Sequence, residues 1–377
     1  MINDHESVDA LRRDPDFSDF FTPLDTGSDF VDATYFLRRD GTLVFSEGYY
    51  HEFEKPLRER RLISHIVYTP IPADAPAPAY TRKTLFGRLF ENITKEIMAT
   101  NPLDRFYPLQ LRRYIDLDPA QAGQARQVYS RYKAMVPVSE LEGAFPTLHS
   151  LQTIIGRSES DPAAENIRVV TEQTAALLGI DPRRIGISGS LSLGCYDDPH
   201  DLDFVIYGTA DEVAEMVGFM RGLTDREERR RVYESGKFWP IRFWDYHGDD
   251  RFMVCPFFSY LDPERAPLRD FECEELGGIS FRARIADDTH NAFNPTVLGL
   301  EDTRTEGPGA GEVSRLILYH GGERGDWRKG DRVEGTGTRC RMRTFRKKNG
   351  VRAPAETFSA VVVNNLDQVH KIEGDRP

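Results

Sequence analysis

Residues 184–208 read RIGISGSLSLGCYDDPHDLDFVIYG. RIGIS (184–188) has the look of a short buried strand, and Gly189-Ser190 is expected to open a short helix, SLSLGCY. Asp201-Leu202-Asp203 then enters a second strand, HDLDFVIYG (200–208), through the apolar run Phe204, Val205, Ile206 and Tyr207. Each part has a chemical meaning. Glycine at 189 has no side chain, so backbone can approach a phosphate closely. Free N–H groups and the dipole of a helix start at Ser190 favour an anion, and the Ser190 hydroxyl adds a donor. Asp201 and Asp203 are two apart on a strand, so both carboxylates point to one face. Two close carboxylates repel unless a cation lies between them, and Mg²⁺ or Mn²⁺ suits such oxygen donors while leaving positions for substrate phosphates.

Working outward, the neighbouring elements alternate between helix and strand. PAAENIRVVTEQTAALLG (162–179) carries Asp161 as N-cap, Pro162 at the first position and Gly179 as the stop. The helical stretch beginning at Thr209 has Glu212 at the capping-box position. Residues 240–260 read as two antiparallel strands around Gly248-Asp249. Nearer the N-terminus, Asp40-Gly41 separates two alternating apolar runs, a hairpin signal, and LISHIVYTP (62–70) is another strand. The loop at 70–80 is rich in Pro and Ala. Leu85, Leu89, Ile93 and Ile97 recur every fourth position and predict a helix over 81–101. A second helix is expected over 119–136, with 137–160 as a connector. After about residue 275 the pattern becomes all-β, suggesting a small barrel or sandwich, with an OB-like barrel among the options.

Charged residues make up 29% of the 377 and the hydrophobic set 39%, the balance of a globular chain. No run of about 18 apolar residues suggests a membrane span, and the acidic, polar start lacks signal-peptide character, which implies a cytoplasmic protein. Cys195, Cys255, Cys273 and Cys340 form no Cys-x-x-Cys pair and read as reduced thiols. The net charge of -12 would repel nucleic acid if it were evenly spread, but residues 323–352 hold eleven Lys/Arg against four acids. Arg339, Arg341 and Arg343 alternate along a strand and share a face, with Arg346, Lys347 and Lys348 following. Trp327 and Phe345 are interleaved aromatics able to stack on bases. This is the candidate surface for RNA, or equally for a polyphosphate.

The Gly-Ser and Asp-x-Asp pattern over about residues 160–275 resembles the DNA polymerase β-like nucleotidyltransferase superfamily. The whole chain also resembles a group of archaeal three-part predicted nucleotidyltransferases. The cues are FLRRDGTLVFSEGYYH (36–51), IGISGSLSLG with HDLDFVIYG, and AFNPTVLGLED (292–302) through KGDRVEGTG (329–337). The resemblance implies an α/β (α+β) core with a mixed sheet over 156–275. An N-terminal α+β domain (1–155) and a small all-β C-terminal domain (276–377) would flank it. It also implies Mg²⁺-dependent transfer of a nucleoside monophosphate from an NTP to a hydroxyl acceptor, RNA first among the candidates. The superfamily supplies a third carboxylate from a neighbouring strand, for which Asp245 is the best candidate here. Asp197, Asp198 and His200 lie in the preceding loop and could reach a metal or phosphate. Ser192 could share phosphate binding, and Lys237 and Arg242 could neutralise triphosphate charge. Transfer to a small molecule or a protein, and nucleotide or RNA binding without transfer, remain open alternatives.

Overall fold

The computed structural model of the chain describes residues 4–25, 30–52, 54–72, 76–196, 201–248, 250–348 and 351–372. The N-terminal part contains α1 (Asp4–Leu11), α2 (Phe17–Phe20), β1 (Thr22–Pro23), β2 (Tyr35–Arg38), β3 (Leu43–His51) and β4 (Arg61–Pro70). It continues with β5 (Arg82–Leu85), β6 (Arg88–Asn92), α3 (Ile93–Thr100), α4 (Phe106–Leu117), β7 (Ala134–Pro137) and β8 (Leu141–Phe145). All eight strands join one sheet in the order β1-β8-β2-β3-β4-β6-β5, with β7 also on β4. The Asp40-Gly41 hairpin forms as its local chemistry requires: the Asp40 carboxylate accepts from the Thr42 N–H at 2.9 Å.

The helix expected over 81–101 is a correction. Phe86 and Gly87 both adopt positive φ, +49° and +66°, and so form a primed turn that folds β5 back on β6. Helix begins only at Ile93, capped by the Asn92 side chain. The fourfold spacing of apolar residues was thus shared between a hairpin and a short helix. Residues 119–136 likewise form two isolated 3₁₀ turns and the start of β7, while the helix of this region, α4, lies earlier.

The middle of the chain holds α5 (Thr147–Ile155), α6 (Pro162–Leu178), β9 (Ile185–Ile187), β10 (Asp201–Leu202), β11 (Phe204–Gly208) and α7 (Ala210–Arg226). β12 (Arg231–Glu234), β13 (Lys237–His247), β14 (Asp250–Val254) and β15 (Phe257–Tyr260) follow. The helix signals act as expected. Asp161 caps α6, Gly179 ends it in the left-handed region, and Thr209 and Glu212 make a reciprocal capping box on α7. These strands divide into a three-stranded sheet, β15-β11-β9, and a four-stranded sheet, β10-β14-β13-β12.

The last part is built on strands joined by short 3₁₀ turns: β16 (Phe271–His290), β17 (Thr296–Glu306), β18 (Arg315–Leu318), β19 (Arg332–Lys348), β20 (Val351–Val363) and β21 (Val369–Lys371). Their order is β16-β17-β18-β20-β19-β21, and the sheet curls so that β16 also pairs with β19.

The fold class implied by the sequence is therefore overturned. Among the described residues strands dominate, in four sheets of eight, four, three and six. Two of the helices expected in the N-terminal part, over 81–101 and 119–136, are largely strands and turns instead. The C-terminal sheet is not a small appendage, since β16 alone runs for 20 residues. The largest buried cluster extends from Val8 to Phe293, so residues on both sides of 155 and of 275 share one core. Among the described residues no helix is long and apolar enough to cross a membrane.

Candidate functional site

The strand expected to carry both carboxylates is broken at Asp203. β10 pairs in parallel with β14, placing Asp201 beside Met253 and Leu202 beside Val254. β11 belongs to the other small sheet, between β9 and β15. Leu202 and Phe204 are fully buried on either side of the break. The Asp203 backbone carbonyl accepts from the Ser188 N–H at 2.8 Å, and the Ser188 hydroxyl donates to the Ala33 carbonyl at 2.7 Å. These bonds hold the end of β9, and with it Gly189, against the break.

The two carboxylates do converge, and a third donor meets them. Donor atoms of Asp201, Asp203 and Cys255 all lie within 4.8 Å of one another. Cys255 directly follows β14, and its N–H donates to the Leu202 carbonyl at 2.9 Å, fixing the thiol beside the pair. Arg242 on β13 completes the electrostatics; it is bonded to Glu234 and stacked on Trp239, its guanidinium carbon 3.9 Å from the ring centroid. Burial raises the Asp201 carboxyl above its ordinary value, against the lowering effects of Cys255 and Arg242. Asp203 is raised well above, by burial and then by Asp201. Burial also holds the Cys255 thiol well above its usual range. A pair of carboxylates raised in this way is a pair in need of positive charge.

Gly189 has φ +63°, and a Cβ there would come to 2.2 Å from Asp203 Oδ2. Glycine is thus required both by the backbone and by the carboxylate lying against it. The helix expected after it is only a 3₁₀ turn, Leu191–Leu193, so the anticipated helix dipole at Ser190 is lacking. Positive charge comes from elsewhere. Lys83 on β5 donates from Nζ to Ser190 Oγ at 3.1 Å. Tyr35 and Tyr68 on the same N-terminal sheet are buried close to Asp203, and burial is the first cause of the upward displacement of both phenols.

Several expected site residues have other partners. Asp245 is not the third acid: its carboxylate pairs with Arg230 at 3.1 Å and accepts from the Tyr246 N–H at 3.0 Å. Standing three positions from Arg242 along β13, it takes the opposite side of the strand. Ser192 is fully buried and donates to the Gly189 carbonyl at 2.9 Å, so it braces the turn. Lys237 is bonded to Asp326 and, at 2.5 Å, to the Gly322 carbonyl. Asp197, Asp198, His200 and Asp249 lie outside the described residues. Cys255 and Lys83 were missed because only the pairing of β14 with β10 and the docking of a distant hairpin bring them here, and Glu234 because it acts through Arg242 across the β12–β13 hairpin.

On the basic strand, Arg339, Arg341 and Arg343 do share a face, but acids and carbonyls meet them. Arg339 donates to the carbonyls of Gly309 at 3.0 Å and Ala310 at 2.9 Å. Arg341 pairs with Glu274 at 2.6 Å and Arg343 with Glu272 at 3.8 Å. Arg346, Lys347 and Lys348 are exposed at the end of β19, Lys347 lying 3.9 Å from Glu264. Trp327 and Phe345 are buried, which corrects their expected role as stacking platforms.

No family model matches the chain, and no curated protein or solved structure is significantly similar to it.

Proposed function

We propose that the chain is a divalent-cation-dependent nucleotidyltransferase that moves a nucleoside monophosphate from an NTP to a hydroxyl acceptor, RNA first among those to test. The observation that carries the reading is the convergence of Asp201 and Asp203 beside the Gly189-Ser190 turn, with Lys83 bonded to Ser190. A bound cation would neutralise the transferring phosphate and activate the acceptor oxygen. Asp201 and Asp203 would hold it. Gly189 lets the Asp203 carboxylate lie against the turn, and Ser190 and Lys83 would donate to phosphate oxygens. Arg242 balances the negative charge that carboxylates and phosphates bring together. The exposed end of β19, with Arg346, Lys347 and Lys348, is the surface offered to an RNA backbone. A cytoplasmic setting suits a substrate of this class.

The test is incubation with each labelled NTP, Mg²⁺ or Mn²⁺, and total RNA, with Asp201→Asn/Asp203→Asn as control. Label in RNA that disappears in the double variant supports the reading. Label that survives nuclease and is lost with protease redirects it to a protein acceptor. The engagement of Asp245 by Arg230 favours a second reading, nucleotide binding without transfer. Nucleotide binding without turnover, unchanged in Asp203→Asn, would establish that alternative.

A further inference from the structure

We propose that Cys255 is a metal ligand and that it sets the identity of the cation. On this view the Asp201–Asp203–Cys255 centre takes a thiolate-binding transition-metal ion, Zn²⁺ foremost. The inference rests on the reading of Asp201 and Asp203 as a cation site and goes beyond it by assigning the third donor.

Three observations converge. A structural cysteine ordinarily packs as a small apolar group. Cys255 is 2% exposed, yet its thiol is turned toward two carboxylates and the Arg242 guanidinium. Its place is fixed by backbone, through the bond from its N–H to Leu202 and the pairing of β10 with β14. The donor spacing also suits one ion. Bonds of about 2.0 Å to oxygen and 2.3 Å to sulfur, at a tetrahedral angle, place donors about 3.5 Å apart. The observed separations, all within 4.8 Å, need only a modest closing of side chains. Two oxygens and one sulfur leave a fourth position open for a substrate oxygen, the layout of catalytic zinc sites. Mg²⁺, which demands near-octahedral oxygen, gains little from a sulfur donor.

On binding, Cys255 gives up its thiol proton to the buffer and coordinates as the thiolate. The centre then carries the charge of two carboxylates and one thiolate. Arg242 and the incoming ion offset it.

The experiment uses the full-length chain stripped with EDTA, without nucleotide. Zn²⁺, Mn²⁺ and Mg²⁺ are titrated calorimetrically, and the Co²⁺ derivative is examined for the near-ultraviolet thiolate-to-metal charge-transfer band. The wild type should show that band, and this measurement needs no variant. Zn²⁺ outcompetes Mg²⁺ at most sites, so the decisive comparison is with Cys255→Ser. That variant should lose the band and bind Zn²⁺ at least about 100-fold more weakly, since even outer partners of a ligand are worth 10- to 100-fold. Cys255→Asp should bind Mg²⁺ and Mn²⁺ more tightly than wild type. Co²⁺ binding without the band, or unchanged Zn²⁺ affinity in Cys255→Ser, overturns the assignment and leaves the nucleotidyl-transfer reading standing. Failure of every divalent ion to bind wild type removes the basis of both.

Discussion

Replacing Asp203 by Asn should stabilise the metal-free protein while destroying its hold on a cation. With donor atoms of Asp201 and Asp203 within 4.8 Å, two full charges at an effective dielectric of about 20 repel by roughly 3 kcal/mol. Arg242 attracts both carboxylates and offsets part of this repulsion, so the expected gain at pH 7 is about 1–2 kcal/mol. The pH dependence follows from the upward direction of both carboxyl shifts. Groups raised in the folded state contribute stability that is complete below the ordinary carboxylate range. That contribution is lost as pH climbs through their folded-state values. The wild type should therefore lose ground to Asp203→Asn as pH rises from 4 to 8, and match it at the acid end. Urea unfolding in EDTA across that range measures the difference. A saturating divalent ion should reverse the order, because it binds only the folded wild type. Destabilisation by Asp203→Asn at pH 7 in EDTA would refute the reasoning, as would a gain that a saturating ion leaves intact.

Other outcomes follow from the same structure. Lys83→Ala should raise KM for the NTP about 10- to 100-fold with a smaller effect on kcat, the loss of a charge-assisted phosphate contact, measured by steady-state transfer kinetics. Asp245→Ala leaves the half-buried Arg230 with Glu227 as its acid and should cost about 1 kcal/mol in urea unfolding, with cation binding by calorimetry unchanged. Burial pulls the Lys133 ammonium down to about 8 against the attraction of Glu47, so this is a buried pair held at a desolvation cost. Lys133→Met leaves the buried Glu47 carboxylate with His65 at 2.6 Å and Tyr107 but without its ammonium partner, and should destabilise by about 3–5 kcal/mol, read by thermal or urea unfolding.

What was legible in the sequence was local. Asp161 with Gly179, Thr209 with Glu212, and Asp40-Gly41 act on backbone groups a few residues away, so their signals need no tertiary context. Gly189 and the Asp201–Asp203 pair stand out by residue type and spacing, but the break that brings them together depends on non-local strand pairing. The hairpin of β5 and β6 was not, because Leu85, Leu89, Ile93 and Ile97 satisfy a helical period while the turn at Phe86-Gly87 overrides it. Asp245 lies on a neighbouring strand as a third acid would, but strand alternation turns it toward Arg230. Cys255 and Lys83 reach the site only through non-local pairing and docking. No spacing rule links residue 83 to residue 190.

The break at Asp203 has a mechanical consequence. Asp201 stands on a strand of the four-stranded sheet, and Asp203 stands where the chain crosses to the three-stranded one. The gap between their carboxylates is therefore a gauge of how the two sheets meet, with Leu202 and Phe204 as the buried wedges on either side. Trimming either wedge changes no donor atom, yet it should change the spacing between the two carboxylates.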